Sequence, residues 1–296
     1  MKYAFTIIIP HKNIPKLLQR CLDSIPKRND LHIIVVDDNS DPNKVNFKEF
    51  PGISDPHIDI IFTKENKGAG YARNIALKKT DSKWVLFADA DDFYTDNLNT
   101  FLDQYIHTDY DIVFFENNTV DNNTYQPIEK DLMVKDLIKE CKKKGNLDPL
   151  RYKAYAPWTK LIRMSLITSH NIQFDELPAA NDSMFSIKVG HFAKKIAIDN
   201  HIIYTRTIRQ GSLFYSLNKK NLLARIECGY RVNKFLKKYD KVKEYHSETW
   251  GHFLDLRKIS WFLFLRTSLT YFIKTPFFIT RNHILHILIK KIKMEK

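Results

Sequence analysis

The chain has 296 residues, 44% of them hydrophobic and 27% charged, and a formal net charge of +13. This composition predicts a folded protein of one large or two smaller domains and excludes a low-complexity chain. Its cysteines, Cys21, Cys141 and Cys228, lie far apart and include no CxxC pair, which argues against a zinc site or a disulfide scaffold and favours a reducing compartment. The short apolar run at residues 4–9 leads straight into Pro10, so we expect no secretory leader.

The first third of the chain alternates strand-like with helix-like patterns. Short apolar runs rich in β-branched residues predict buried strands at residues 5–9, 32–36, 58–62, 84–88 and 111–116. Apolar residues at helical spacing predict helices over 17–25 and 71–79. Such alternation is typical of a mostly parallel sheet covered on both faces by helices. The expected fold class is therefore α/β, with ligands bound at the carboxyl ends of the strands.

The rest of the chain shows two different patterns. Residues 121–215 are less regular. Beyond residue 219 the spacing of apolar residues predicts helices over 222–236 and 253–269. We therefore expect a helical C-terminal appendage beside the sheet.

Acidic side chains follow two of the predicted strands at the point where each ends. Asp37 and Asp38 follow the second strand, and Asp89, Asp91 and Asp92 follow the fourth. In an extended chain, residues two apart project to the same side, so Asp89 and Asp91 can converge on one point. Three acids in four residues repel one another unless a cation compensates them, and clustered carboxylates suit Mg²⁺ or Mn²⁺. For any single aspartate, a solvated turn or a helix N-cap is the alternative.

A glycine-containing segment, residues 66–74, opens the helix predicted over 71–79. Gly68 and Gly70 allow close approach of the backbone, and Arg73 can address a base or a phosphate. The glycine spacing differs from that of a dinucleotide fingerprint. A surface loop with an exposed arginine is the alternative for this segment taken alone.

Four segments together resemble the family 2 glycosyltransferases with the GT-A fold, in the order and spacing of that family. They are residues 5–13 (FTIIIPHKN), 35–40 (VVDDNS), 68–74 (GAGYARN) and 87–92 (FADADD). The resemblance covers about the first 115 residues and continues more loosely at 157–161 (PWTKL), 181–182 and 211–212. It implies a GT-A, Rossmann-like sheet and an inverting glycosyltransferase of the bacterial surface-polysaccharide type.

The resemblance also implies a donor site at the carboxyl ends of the strands. The residues that it places on the nucleotide sugar are Pro10, Asp38, Arg73, Asp89 and Ala90, with Asp38 on the base. The residues that it gives to the DxD-like motif, which holds Mn²⁺ or Mg²⁺ and the diphosphate, are Asp89, Asp91 and Asp92. Lys12 departs from the family, which commonly has a base-stacking aromatic residue at this position.

The acceptor side is implied by a second group of residues. Asp182 stands where the family has its catalytic base, and an N-cap for the following helix is its alternative role. Asn181 stands where the family often has glutamate, and its amide can still bind an acceptor hydroxyl. Trp158, Arg209 and Ser212 are placed at the acceptor or the diphosphate, although a core position is the alternative for Trp158.

These implications define an expected function and domain organisation. A GT-A catalytic domain is expected over residues 1–215, with a nucleotide-sugar-binding part at 1–120 and an acceptor-side part at 121–215. The expected reaction moves a sugar from a nucleotide diphosphate sugar, expected to be a UDP-sugar, to a hydroxyl of a glycan or lipid-linked acceptor. The alternatives are a metal-dependent sugar nucleotidyltransferase and a catalytically inactive, membrane-peripheral binding subunit. The glycine- and basic-rich loop expected of a nucleotidyltransferase is missing after residues 5–9.

The C-terminal region, residues 216–296, ends in a basic and apolar segment. Residues 257–296 hold nine Lys and Arg against one acid, a net charge of +8, among many Phe, Ile and Leu. This pattern favours either an interfacial helix on an anionic membrane or helices packed on the catalytic domain with a basic outer face. We expect a cytoplasmic protein, peripheral at the inner face of the cell membrane, with no nucleic acid partner because no recognised motif is present.

Overall fold

The computed structural model describes residues 1–128, 133–209 and 218–274. Its strands are β1 (Tyr3–His11), β2 (Leu31–Asp38), β3 (Ile58–Thr63), β4 (Ser82–Phe87), β5 (Phe93–Tyr94), β6 (Ile112–Asp121), β7 (Lys160–Arg163) and β8 (Ile196–Ile208). Its helices are α1 (Pro15–Asp23), α2 (Ala69–Lys79), α3 (Asn97–Tyr105), α4 (Met133–Lys144), α5 (Asp148–Lys153), α6 (Met164–Ser169), α7 (Ser183–Phe192), α8 (Lys219–Lys238), α9 (Val242–Tyr245), α10 (Trp250–Ile259) and α11 (Trp261–Lys274). Two short 3₁₀ turns lie at Phe47–Glu49 and Pro157–Thr159.

The strands form one eight-stranded sheet in the order β3-β2-β1-β4-β7-β6-β8-β5. Strands β1 to β4 run parallel, and β6 runs parallel to β8. Strand β7 is antiparallel to both of its neighbours, and β5 is antiparallel to β8. The predicted α/β class, a mostly parallel sheet flanked by helices with more helices at the C-terminal end, is confirmed.

Both faces of the sheet are covered, which explains why its strands are apolar throughout. All eight residues of β2 are buried. Successive side chains of a strand point to opposite faces, so Ile7 packs with α1 and α3 on one face, whereas Ile8 packs with α2, α6 and α7 on the other. A strand with two buried faces cannot show polar alternation.

Two parts of the fold differ from the sequence prediction. Residues 121–215, expected to be less regular, contain β7, β8 and the helices α4 to α7. Strand β8 is interrupted in sequence by polar residues at Asp199, Asn200 and His201, where the β6–β8 pairing shifts register. The predicted helix over 253–269 is two helices, because Ser260 adopts extended backbone angles between α10 and α11.

The C-terminal helices pack onto the sheet domain through α8. Cys228 and Val232 of α8 contact Met184 and Ile187 of α7 in one apolar cluster, and a second cluster joins α8 to α10 and α11. The predicted boundary between residues 215 and 216 lies outside the described residues, so the domain division stays a prediction. None of the helices within the described ranges is long and apolar enough to cross a membrane.

Candidate active site

The two acidic clusters lie at the same edge of the sheet. Strand β1 pairs in parallel with β2 on one side and β4 on the other. Asp38 ends β2, and Asp89 follows β4 by two residues. Helix α2 begins at this edge and connects the clusters, because Asp38 bonds the turn before the helix and Asp89 bonds Arg73 within it.

Asp38 holds the glycine segment in place. Its carboxylate, 5% exposed, accepts hydrogen bonds from the backbone N–H groups of Lys67 (2.9 Å) and Gly68 (2.8 Å). Gly68 has a φ of +91°, a conformation that favours glycine. Lys12 donates to the backbone carbonyl of Asp38 (3.1 Å) and to the side chain of Asn66. Where the family commonly has an aromatic residue, this chain therefore has a lysine that is bonded to residues near the start of α2.

Asp37, one residue earlier, belongs to a buried network beneath the cleft. Its carboxylate contacts Nδ1 of His11 (2.7 Å) and accepts from the hydroxyl of Ser40 (2.5 Å). Nε2 of His11 accepts from the backbone N–H of Ile14 (3.1 Å). These bonds fix the loop after β1 against the loop after β2. His11 is therefore a buried histidine with both ring nitrogens occupied.

Arg73 joins the acidic turn after β4 to the loop before α7. Its side chain is 5% exposed, so the alternative of an exposed surface arginine is wrong. One guanidinium nitrogen donates to Asp89 (2.5 Å) and another to the side-chain oxygen of Asn181 (3.1 Å). The sequence resemblance placed Arg73 on the nucleotide sugar. In the structure, its bonds run to the acidic cluster and to the residue before Asp182.

The three acids after β4 have different surroundings. Asp89 and Asp91 keep 36% and 24% of their side chains exposed, and each is paired with one arginine, Arg73 and Arg209 respectively. Asp92 is 3% exposed and has both oxygens occupied. Its carboxylate accepts from the hydroxyl of Tyr204 (2.8 Å) and the backbone N–H of Thr207 (2.7 Å). Asp92 thus fastens the acidic turn to β8.

Tyr204 and Thr207 contact this turn at further points. The hydroxyl of Tyr204 also accepts from the backbone N–H of Asp89 (2.9 Å), and Thr207 Oγ1 donates to the carbonyl of Asp91 (2.6 Å). Arg20 of α1 donates to the same carbonyl of Asp91. The sequence gives no signal for Tyr204, Thr207 and Arg20, because no local motif reveals which distant hydroxyl or guanidinium group will contact the acidic turn.

The charges of the cluster perturb one another. Burial and the charges of Asp91 and Asp89 raise the pKa of Asp92 well above its ordinary value. Burial also raises the pKa of Asp89, an effect that Arg73 opposes and the charge of Asp91 increases. The cluster therefore favours an additional positive charge, because a cation relieves the repulsion between its carboxylates.

A divalent cation fits Asp89 and Asp91 better than it fits Asp92. The two partly exposed carboxylates are hard oxygen donors whose charge is balanced here by guanidinium groups. The oxygens of Asp92 already serve Tyr204 and Thr207. No group of three or more His, Cys, Asp or Glu able to hold a metal ion occurs among residues 1–128, 133–209 and 218–274. A set of two carboxylates is compatible with Mg²⁺ or Mn²⁺ when substrate oxygens and water supply the other ligands.

Asp182 follows Asn181, which Arg73 bonds, and is partly buried. It precedes α7, but its side chain makes no capping hydrogen bond to the helix, so the N-cap alternative is not realised. Its backbone carbonyl accepts from the N–H of Ser186 (2.9 Å). Burial raises the pKa of the Asp182 carboxyl, an effect that the nearby Arg73 opposes. A carboxyl group with a raised pKa suits a general base.

The loop that carries Asn181 and Asp182 packs directly on α2. A Cβ atom at Gly70 would lie 2.1 Å from the carbonyl oxygen of Asp175 and 3.1 Å from Cβ of Asn181. The backbone N–H of Asp175 donates to the carbonyl of Asn181 (3.1 Å), which closes the loop. Gly70 therefore allows close packing between α2 and the loop that carries Asn181 and Asp182.

The remaining residues predicted for the site differ in their burial and contacts. Trp158 is half-buried and stacks on Tyr204, with ring centroids 5.0 Å apart and an interplanar angle of 14°. Pro10 pairs with Val36 near the end of β1, and Ala90 is 3% exposed. Ser212 lies outside the described residues.

The amino-acid sequence of the chain matches a known protein family. The family model "Glycosyl transferase family 2" matches residues 6–169. The chain belongs to glycosyl transferase family 2. The family model thus covers the four predicted motifs, and the resemblance seen in the sequence is confirmed.

Individual family 2 relatives are distant. The putative glycosyltransferase EpsH of Bacillus subtilis (strain 168) is 26% identical over 265 residues, which are 83% of this chain and 72% of EpsH. The poly(ribitol-phosphate) β-N-acetylglucosaminyltransferase TarS of Staphylococcus aureus (strain Mu50) is 25% identical over 218 residues. This match covers 70% of the chain but only 36% of TarS. Glycosyltransferase activity is supported by these relatives, and the chain is an enzyme of that class.

Solved structures of this class share the fold. Residues 1–349 of S. aureus TarS in complex with UDP-GlcNAc superpose with a TM-score of 0.61 at 22% identity, covering 90% of this chain and 73% of that chain. A mannosyltransferase of Pyrobaculum calidifontis in complex with GDP-Man and Mn²⁺ superposes with a TM-score of 0.55 at 13% identity, covering 98% and 81%. The predicted GT-A-like fold is confirmed.

Proposed function

We propose that this glycosyltransferase moves a sugar from a nucleotide diphosphate sugar to a hydroxyl of a surface glycan or a lipid-linked precursor, with inversion at the anomeric carbon. The observation that carries this proposal is the pair of bonds made by Arg73, one to Asp89 of the acidic turn and one to Asn181, the residue before Asp182. A UDP-sugar is the proposed donor, since the TarS structure contains UDP-GlcNAc. A polyol-phosphate glycan is a reasonable acceptor class, since TarS is named for poly(ribitol phosphate).

In this proposal each side of the cleft has one task. Asp89 and Asp91 hold Mg²⁺ or Mn²⁺, which would stabilise the charge that develops on the leaving diphosphate. Arg73, and Arg209 once it leaves Asp91, place guanidinium groups where they can bind diphosphate oxygens. Asp182 takes the proton from the acceptor hydroxyl as that oxygen attacks the anomeric carbon. Attack from the face opposite the diphosphate inverts the configuration.

Calorimetric titration of nucleoside diphosphates tests the donor half of the proposal. We expect UDP to bind wild type with Mn²⁺ and at least tenfold more weakly without it, and GDP, TDP and CDP to bind more weakly still. Asp91→Asn should lose the metal dependence. Asp109→Asn is the matched control, because Asp109 is an exposed carboxylate paired with Lys195.

The outcomes of this titration separate the proposals. Metal-dependent binding of another diphosphate would replace UDP as the donor base but keep the mechanism. Absence of binding to any diphosphate would favour the inactive binding subunit. Release of pyrophosphate from a nucleoside triphosphate and a sugar phosphate would instead favour the nucleotidyltransferase.

We also propose that α11 places the enzyme on an anionic membrane surface. Its inner face packs on α8 and α10 through Tyr271, whose hydroxyl bonds Asn233 and Thr249. Its outer face exposes large apolar side chains on one helical stripe: Phe262 (76%), Leu265 (58%), Leu269 (65%) and Ile273 (76%). An exposed apolar stripe of this size favours an interaction surface. Residues 257–296 contribute a net charge of +8, and each basic residue near an anionic surface adds about 1 kcal/mol.

Co-sedimentation with vesicles tests the membrane proposal. Wild type should sediment with phosphatidylglycerol vesicles, less with pure phosphatidylcholine, and less at high salt. Phe262→Gln combined with Ile273→Gln should reduce sedimentation at least fivefold. Ile53→Gln is the control, because Ile53 is 47% exposed on a different part of the surface. Equal sedimentation of the double variant and wild type would exclude α11 as the contact. A concentration-dependent dimer instead of vesicle binding would assign the stripe to a second copy.

A further inference from the structure

Lys160, the first residue of β7, has an unusual position for a lysine. Its side chain is entirely buried. Its ammonium group donates to the carbonyl oxygens of Ala154 (2.8 Å) and Ala156 (2.5 Å) and lies 5.5 Å from the centroid of the Phe114 ring. Burying an ammonium group costs several kcal/mol, which such bonds only partly offset. A methionine would fill the same space without that cost, so the charge of Lys160 calls for an explanation.

The carbonyls that Lys160 binds belong to a turn, residues 154–157, at the acceptor side of the cleft. The same turn is held from α7, where the hydroxyl of Ser186 donates to the carbonyl of Tyr155 (2.5 Å). The backbone N–H of Ser186 bonds the carbonyl of Asp182. The turn therefore sits between the buried ammonium group and the first turn of the helix that follows the proposed base.

The turn also leads into the donor site. Trp158 follows it directly and stacks on Tyr204, whose hydroxyl donates to Asp92 in the acidic turn. Lys160 thus fixes a segment that contacts both halves of the cleft. Loss of its two hydrogen bonds would loosen the acceptor wall while leaving α2 and β4 in place.

Among residues 1–128, 133–209 and 218–274, the ionisable groups that interact with Asp182 include four from different elements. They are Arg73 of α2, Asp89 beyond β4, Lys160 of β7 and Cys228 of α8. Burial raises the pKa of Asp182, the charges of Arg73 and Lys160 lower it, and the charge of Asp89 raises it. Cys228 stays neutral at working pH, because burial raises the pKa of its thiol to about 12.

The interaction between Lys160 and Asp182 is mutual. Burial lowers the pKa of Lys160 to about 7, and the charge of Asp182 opposes this change. Each charge therefore favours the ionised form of the other in a region from which water is largely excluded.

We propose that Lys160 is a positioning residue for glycosyl transfer, which holds the 154–157 turn and places a buried positive charge that favours the carboxylate form of Asp182. The inference rests on the proposed function, in which Asp182 is the base. Arg73 already serves Asp89 and Asn181, so its charge is shared with the donor site. The hydrogen bonds of the Lys160 ammonium group go to Ala154 and Ala156, so below about pH 7 its charge acts on Asp182 whether or not a diphosphate is bound.

The test compares two ways of loosening the same turn. Lys160→Met removes the charge and both hydrogen bonds, whereas Ser186→Ala removes the other anchor of the turn without changing any charge. Both variants should lower kcat, by about tenfold for Lys160→Met, with an unchanged Kd for the nucleoside diphosphate. Only Lys160→Met should move the acid limb of the kcat/KM profile to higher pH, because the base then holds its proton more tightly. Thermal unfolding checks that each variant is folded.

Two results would overturn or separate the proposals. If the acid limb of the kcat/KM profile is the same in folded Lys160→Met as in wild type, the proposed role of Lys160 is wrong. The proposed transferase function is unaffected by that result. A wild-type protein without transferase activity would remove the proposed function and this inference together.

If Lys160→Met does not fold, NMR of ¹³Cε-labelled lysine decides. We expect one lysine of the wild type to titrate near pH 7 and to titrate at lower pH in Asp182→Asn, because the negative charge has gone. A lysine profile that is unchanged by Asp182→Asn would refute the interaction.

Discussion

Substitution of Gly70 by alanine should separate the two sides of the cleft. The added Cβ would lie 2.1 Å from the carbonyl oxygen of Asp175, and contacts of this kind are essentially never shorter than 3.0 Å. The loop must therefore retreat from α2 by about 0.9 Å. The obstacle is backbone closed by the Asp175–Asn181 hydrogen bond, so rotation of a side chain cannot relieve it. Because Asp182 follows Asn181 directly, the retreat moves the proposed base away from the acidic pair.

The expected effect follows from the size of that displacement. Overpacking of this kind costs about 1–3 kcal/mol of unfolding free energy, which lowers the Tm of a chain of this size by a few degrees. A misplacement of about 1 Å can reduce catalysis about 100-fold. We therefore expect kcat to fall about 100-fold in Gly70→Ala, with less than a threefold change in the Kd for the nucleoside diphosphate.

Steady-state kinetics, calorimetry and thermal unfolding measure these three quantities. Gly251→Ala is the matched control, because a Cβ at Gly251 in α10 meets nothing within 4 Å. Its kcat should be unchanged and its stability equal or higher by about 0.4–1 kcal/mol. The reasoning is refuted if Gly70→Ala keeps the Tm and kcat of wild type. Loss of diphosphate affinity alone would instead assign Gly70 to donor binding.

Three further predictions concern single contacts of the cleft. Asp182→Asn should lower kcat by about 10²–10⁴-fold with unchanged diphosphate affinity. The kcat/KM of wild type should fall as the pH drops through the raised pKa of Asp182. Activity that survives the substitution would remove the base role. Tyr204→Phe should lower the free energy of unfolding in urea by about 1–3 kcal/mol, because it leaves a buried oxygen of Asp92 without its donor. An unchanged midpoint of the urea unfolding curve would argue that water replaces the hydroxyl. Burial tends to raise the pKa of Asp37, but hydrogen bonds from His11 and Ser40 outweigh it and hold that pKa below its ordinary value of 3.8. This carboxylate therefore stabilises the fold above pH 3.8 and ceases to do so as the pH falls through the lowered value, so Asp37→Asn should flatten that part of the curve of unfolding free energy against pH.

Local sequence patterns were sufficient to predict the elements whose signal lies in neighbouring residues. The strands β1 to β4, the helix α2 and the acid-rich strand ends could be predicted because each depends on neighbouring residues: apolar runs, helical spacing and chain reversal after a strand. The same sequence motifs identified the family. In the mixed half of the sheet, β6 was predicted at residues 111–116, but β7 and β5 were not. Strand β7 has four residues and β5 has two, and short strands like these are stabilised by their partners rather than by their own sequence.

The amino-acid sequence by itself determined which chemical groups are available: a cluster of carboxylates, an arginine beside glycines and a lone aspartate near residue 182. Tertiary structure alone decided how they are used. Asp92 looks equivalent to Asp89 and Asp91 in sequence, yet burial against Tyr204 and Thr207 leaves it no free oxygen. Lys160 looks like a surface lysine and is fully buried. The reason is physical: the sequence specifies the charge of a group, but its hydration and its partners depend on elements about 100 residues away.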